Sequence, residues 1–365
     1  MKDFVRLCEI ESPSLHERAM ADAVTADLRA AGLEVHEDST GAETGSDAGN
    51  LLARIPGPEG AAVILLCAHL DTVPLDAPVE VQRDDSGVLS NRHEAILGAD
   101  NKAAVAVLLA VARRFAASAV PVGVELLFTT AEERALAGAK AFDLGLLEAE
   151  MGFVLDHATP LGELLVAAPT YYRLVADFHG HAAHAGIRPE DGRNAIAAAA
   201  AALAEMPLGR LDPGTTANVG VVHGGTAGNV VAERCRLELE TRSLDHERAA
   251  EVARDMVDRL TDAAGHAECD VETVVEEGFR GYRLPAASPP VQAASAALEA
   301  LGLTPSLLAS GGGSDANVLQ ASMPCLNVAN GTERNHEPGE QVSVAALELS
   351  LDVALGIVHQ AARSR

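Results

Sequence analysis

The segment "CAHLDTVPLD" follows the apolar run "AAVILL" and places His69 and Asp71 two positions apart at the tip of an expected strand. In an extended chain, residues i and i+2 point to the same side. An imidazole and a carboxylate on one side can be a metal ligand and the group that orients it, or simply a polar loop. Similar groups recur where other apolar runs begin or end. Asp100 opens the helical run "GADNKAAVAVLLAVARRFAASA", Glu132 and Glu133 follow "VGVELLFTT", Asp156 closes "MGFVLDH", and His336 lies in "RNHEPGE". Taken singly, the Glu doublet reads as a solvated pair, Asp156 as a cap or loop residue, and His157 as a mere neighbour. Taken together, two His and several carboxylates suit two divalent metal ions, with one carboxylate shared between them to offset their repulsion. Asp100, at a helix start, is well placed to bridge. One glutamate of the doublet would bind metal and the other would take a proton from water. Zinc suits imidazole and oxygen donors, and cobalt or manganese fits the same set.

These groups need one common edge. Strands "AAVILLCAH", "VGVELLFTT" and "MGFVLDH" alternate with helical runs, the signature of a helix-covered, mostly parallel α/β sheet. In such sheets chemistry collects at the carboxyl ends of the strands. Residues 3 to 32 show helical spacing closing at Gly32, residues 37 to 50 read as a loop, and "RALAGAKAFDLGLL" reads as helical. Near residue 170 the order becomes β, α, β, β, α, β, that of a ferredoxin-like domain. The expected organisation is a discontinuous catalytic metal-binding domain, 1–169 and 280–365, with an inserted lid or dimerisation domain, 170–279.

Composition narrows the function. The 365 residues carry a formal charge of -26, which repels nucleic acid phosphates and anionic membranes. Only 3% of residues are aromatic, so Ala, Val and Leu must build the core. Five cysteines without a CxxC pair suit a reducing cytosol rather than a disulfide framework. No run reads as a signal peptide or reaches the length needed to span a bilayer. The expectation is a cytoplasmic protein with no membrane or nucleic-acid partner.

"HLDTVP", "GADNKAA", "TTAEE", "LDH", "GHAAHAG", "SGGGSDAN" and "NHEPGE", in that order, resemble the M20 family of dinuclear metallopeptidases, with its peptidase T branch nearest. The resemblance spans nearly the whole chain. It implies His69 and Asp156 on one ion, Glu133 and His336 on the other, and Asp100 bridging. It also implies Glu132 as general base and Asp71 as the carboxylate that orients His69. His184 matches a lid histidine that, in relatives, enters the partner subunit's site and stabilises an oxyanion. Such a role implies a homodimer through the inserted domain. Asn218 matches a substrate contact, and Arg242 an arginine that clamps a substrate carboxylate. Gly311 and Gly312, followed by Gly313, offer no side chains to obstruct a substrate backbone; a flexible loop is the other reading. Asn101 stands where some relatives carry a second Asp, with no loss of metal expected. His179, His181 and His184 invite a third-metal reading, but that region lacks a spaced carboxylate.

The function so implied is amide hydrolysis in small peptides, with metal-bound hydroxide as nucleophile, by a tripeptidase or aminopeptidase. The alternatives are an N-acyl-amino-acid amidohydrolase or carboxypeptidase of the same family and, from another class, a metal-free binding protein. The last should have lost at least one ligand, and none is missing.

Overall fold

The computed structural model describes residues 1–363. The chain forms two compact units. One comprises Met1–Ala167, Arg283–Ala309 and the residues from Ser314 onward; the other comprises Ala168–Tyr282 and Ser310–Gly313. The architecture is the expected α/β one, with a mostly parallel sheet and an inserted antiparallel domain.

In the larger unit the sheet runs Val35–Glu37, Leu51–Ile55, Gly123–Thr129, Val63–His69, Met151–His157, Cys325–Ala329, Glu163–Ala168. The strands from Gly123–Thr129 through Cys325–Ala329 are mutually parallel. Their apolar runs are almost wholly buried, as expected of strands covered on both faces. His69 pairs in register with Thr129, and Ala329 with His157, so the chain leaves all four strands at one edge.

A smaller sheet pairs Thr332–Glu333 with Gln341–Ser343, and that strand with Val88–Asn91. It carries the hairpin loop 334–340, which holds His336. Arg334 and His336 adopt φ of 59° and 67° there, a region non-glycine residues rarely enter.

Several expectations need correction. The segment 3–32 is two helices, Lys2–Cys8 and Arg18–Ala30, not one. Pro13 lies between them and pairs in parallel with Thr72, which draws the chain out of helical geometry. The polar stretch 37–50 holds the short helix Gly41–Thr44 and leads into a buried strand, Leu51–Ile55. "RALAGAKAFDLGLL" yields only Ala137–Ala141 and one 3-10 turn. Gly138 begins that helix so close to the previous strand that a Cβ would lie 2.0 Å from the Thr130 carbonyl oxygen. The closing helix, Val344–Ala361, has a mean hydropathy of 1.4 and is long and apolar enough to cross a membrane by length and composition. It packs instead on Ala99–Ala116 and Pro289–Ala300, burying Val353, Ile357 and Val358. A core helix and a membrane span present the same apolar run, and packing separates them.

The inserted unit is an antiparallel sheet in the order Gly209–Asp212, Thr215–Gly224, Arg234–Ser243, Thr170–His179, Asp270–Phe279. Gly209–Asp212 is an edge strand added to the βαββαβ order. Alternating residues Leu174, Ala176 and Phe178 meet Leu237 and Leu239 in one core with helices Ala195–Glu205 and His246–His266. The alanines of "AIAAAAAALAE" allow close approach, and Ala198, Ala199 and Ala202 are buried.

Candidate metal centre

Three strand ends, the start of the helix Ala99–Ala116 and the 334–340 loop bring His69, Asp71, Asp100, Glu132, Glu133, Asp156 and His336 together. His69 Nε2 lies 3.4 Å from Asp100 Oδ1 and 3.4 Å from Asp156 Oδ1. His336 Nε2 lies 3.2 Å from Asp100 Oδ2 and 2.7 Å from Glu133 Oε1. The two carboxylate oxygens of Asp100 thus each face a different imidazole. Asp100 Oδ1 is buried with no hydrogen-bond partner among the described residues. A buried anionic oxygen in that state is costly unless a cation meets it. Ligand atoms of His69, Glu132 and Asp156 lie within 4.8 Å of one another, as do those of His69, Asp100 and Glu133. Imidazole and carboxylate donors at this spacing fit divalent cations.

Asp71 contacts more than His69. His69 Nδ1 lies 3.0 Å from the Asp71 backbone carbonyl and 3.3 Å from its carboxylate, so the carbonyl is the nearer partner. The carboxylate accepts the backbone N–H of Glu132 at 2.9 Å and of Glu133 at 3.1 Å, and the Ser14 hydroxyl at 2.7 Å. This answers how two adjacent glutamates face one site: the backbone turns at the strand end, and Asp71 holds the turn.

Asp100 precedes the regular helix. It and Asn101 have non-helical φ and ψ, so this segment needs hydrogen-bond acceptors from outside the helix. Glu340 supplies them. Its carboxylate, 1% exposed, accepts the N–H groups of Leu97, Gly98 and Asp100 at 2.6 to 2.8 Å. Asn335 Nδ2 donates to Asp100 Oδ2 at 2.9 Å. Asn101 lies behind the site, where its Oδ1 accepts from Asn330.

Sequence reasoning missed Glu340 although it read "NHEPGE" for His336. It also passed over Asp315, which is buried beneath the cluster and accepts from Thr129 Oγ1 at 2.5 Å. Burial lifts Asp315 to about 6.

The crowded carboxylates set the electrostatics. Burial raises Asp156 to about 7 against the pull of His69. Burial, then the charge of Asp156, pushes Glu132 well above the usual carboxylate range. Burial works against a charged Asp100 too, but the facing His336 and His69 imidazoles outweigh it and hold it low. His336 is lifted to about 10, first by Asp100 and then by Glu133. Burial pulls His69 down, yet the carboxylates of Asp156, Asp100 and Asp71 around it leave it well above its ordinary value.

The inserted unit carries the remaining candidates. His184 is exposed, and its Nδ1 accepts the N–H of Gly186 at 3.2 Å, which leaves the ring proton of the neutral form on Nε2 as a donor. Asn218 is exposed and pairs in register with Glu240. Arg242 is already engaged. Glu240 accepts from its Nε and Nη2, both at 3.1 Å, and its guanidinium lies 4.8 Å over the Tyr171 ring. Its Nη1 reaches the Gly311 carbonyl at 3.4 Å. Of the glycine run, Gly311 and Gly312 have open space or ordinary contact around a would-be Cβ, whereas Gly313 is required, since a Cβ would meet the Phe279 ring at 2.4 Å. His179 is occupied with Arg234, and among the described residues no metal-ligand group includes the lid histidines.

Residues 171–268 match the M20 peptidase dimerisation domain, and residues 50–159 match peptidase family M28. The uncharacterised protein YqjE of Bacillus subtilis (strain 168) is 33% identical over 365 residues, covering 100% of this chain and 98% of that one. The aminopeptidase PepT of Bacillus cereus ATCC 10987 superposes with a TM-score of 0.89 at 35% identity, covering 99% of this chain and 97% of its own. A tripeptidase of Staphylococcus aureus subsp. aureus Mu50 gives 0.94 at 31% identity, with the same coverage. The chain belongs to the M20 peptidases. It is a peptide-bond hydrolase similar to peptidase T, of a metal-dependent family, and the cluster just described is its candidate metal centre.

His69 and His336 are both raised above the ordinary imidazole range by the carboxylates around them, which favours their protonated forms. A cation needs both imidazoles neutral, so its affinity should rise with pH up to about 10, the value for His336. Calorimetric titration with zinc at pH 7, in buffers of differing ionisation heat, should show proton release as the site fills. Absence of proton release would remove these imidazoles from the ligand set.

Proposed function

We propose that this M20 peptidase is a dinuclear enzyme of peptidase T type, an aminopeptidase acting on tripeptides and similarly small peptides. The observation that carries the reading is Asp100, whose two oxygens each face one imidazole. That is the arrangement a bridging carboxylate needs. His69 and Asp156 would hold one ion and Glu133 and His336 the other. Zinc suits these donors, as do cobalt and manganese. Once bound, such ions polarise a carbonyl and lower the pKa of water.

The chain's own residues do the rest. Glu132 takes the proton from the attacking water and delivers it to the leaving amine. A carboxyl raised by burial is suited to hold a proton between those two events. Asp71 keeps Glu132 and Glu133 in place through their backbone N–H groups. His184, with its Nε2 donor, is assigned to the developing oxyanion. Asn218, Arg242, Gly311 and Gly312 are assigned to the substrate. The grip of Glu240 on Arg242 leaves less of the guanidinium for a substrate carboxylate, which favours amine recognition over the carboxypeptidase and amidohydrolase branch. Five buried, unpaired cysteines support a reducing cytoplasm. The match to a dimerisation domain supports a homodimer formed through the inserted unit.

Three outcomes test this reading. Glu132→Gln should keep both ions, measured by metal analysis, while turnover falls roughly 100-fold or more; near-wild-type rates would remove Glu132 as the base. The metal-loaded enzyme should release the N-terminal residue of Ala-Ala-Ala and leave the N-acetylated peptide intact. Equal cleavage of the blocked peptide would move it to the carboxypeptidase and amidohydrolase branch. Sedimentation should give a dimer, and a fully active monomer would end the assembly proposal.

A further inference from the structure

Glu17 is 0% exposed, charged in type, and has no part in the ligand set. Its Oε1 accepts the N–H of Leu15 at 2.9 Å and of Ala131 at 3.0 Å, and its Oε2 accepts the Ser46 hydroxyl at 2.5 Å. Ala131 sits at φ 50°, where the chain turns out of the strand Gly123–Thr129. The next two N–H groups, of Glu132 and Glu133, go to Asp71. Two buried carboxylates therefore take three successive peptide N–H groups at the turn from which both glutamates project. A strand end has no ladder partner for those groups, and a buried side-chain oxygen held at hydrogen-bond distance supplies one.

We propose that Glu17 is a positioning residue for the hydrolytic reaction: it fixes the Ala131 peptide, and with it the direction in which Glu132 leaves the strand. The proposal rests on the reading of Glu132 as the base. Glu17 touches neither substrate nor metal and acts only through the turn. The helix Arg18–Ala30 anchors it through Met20, Val24 and Leu28, which are buried. A carboxylate on that rigid support can hold the turn within the small tolerance that proton transfer allows.

The test separates reach from charge on the metal-loaded full-length enzyme with Ala-Ala-Ala. Glu17→Gln keeps an oxygen acceptor at the same distance and should retain kcat within about threefold. Glu17→Asp keeps the charge but withdraws it by one methylene, and should lower kcat about tenfold or more with KM within about twofold. Hydrogen exchange of residues 130–134 should quicken in Glu17→Asp while the Thr170–His179 strand is unchanged. The double variant Glu17→Asp, Glu132→Gln should be no slower than Glu132→Gln alone, because Glu17 acts through Glu132. Wild-type kcat in Glu17→Asp beside an inactive Glu132→Gln overturns the proposal alone. So does unchanged exchange at 130–134, a multiplicative loss in the double variant, or a folded Glu17→Gln as inactive as Glu132→Gln. Near-wild-type turnover in Glu132→Gln itself sinks the underlying reading, and this proposal with it.

Discussion

The constraint on which the larger unit depends is the mutual repulsion of buried carboxylates. Asp100, Glu132, Asp156 and Asp315 lie within each other's fields and away from water. Such a cluster is stable only if cations or protons offset the charge and if backbone donors fix the oxygens. His69 and His336 lie against these carboxylates and are both raised by them, as expected where positive charge is favoured. The parallel sheet makes the cluster possible by ending several strands along one edge, so that carboxylates far apart in sequence arrive without long loops of their own.

A second set of acids solves a different problem. Asp71, Glu17 and Glu340 face peptide N–H groups instead of imidazole Nε2 atoms. Each sits under a turn that carries a site residue: 131–133 for Asp71 and Glu17, 97–100 for Glu340. Turns that aim functional side chains give up regular hydrogen bonding, and the orphaned N–H groups must be met by something buried. A carboxylate can meet two or three at once. The larger unit thus uses acidic residues both as candidate ligands and as the scaffold that aims those ligands.

The inserted unit is built on another principle. Its antiparallel sheet has one face under helices, with an alternating core of Leu, Ala and Phe. Of its candidate site residues, His184 and Asn218 are exposed and Arg242 is half-buried. Arg242 shows why residue type alone is a weak guide there. The family resemblance makes Arg242, at a strand end, a carboxylate clamp, yet its neighbour two positions away on the same strand, Glu240, points to the same side and claims it. The glycine run likewise divides once packing is seen, since Gly313 answers to Phe279 while Gly311 and Gly312 do not.

Much of this was legible in the chain itself. Buried parallel strands are continuous apolar runs, so "VILLCAH" and "GVELLFT" marked themselves, and their ends marked His69 and the Glu132–Glu133 pair. The βαββαβ order followed from local periodicity, as did the position of Asp100 at the head of an apolar helix. The break in the first helix, the strand Leu51–Ile55 and the true setting of the closing helix were not legible, because polar flanks or apolar length mask them until neighbours are in place. Nor does local periodicity say which acid joins the candidate ligand cluster and which faces peptide N–H. Ala131 and its acceptor Glu17 are 114 residues apart, and Asp100 and Glu340 are 240 apart. Local periodicity records what a residue does for its own element. A carboxylate that serves a distant turn leaves no periodic trace, and only the tertiary structure, by bringing donor and acceptor into hydrogen-bond range, decides its role.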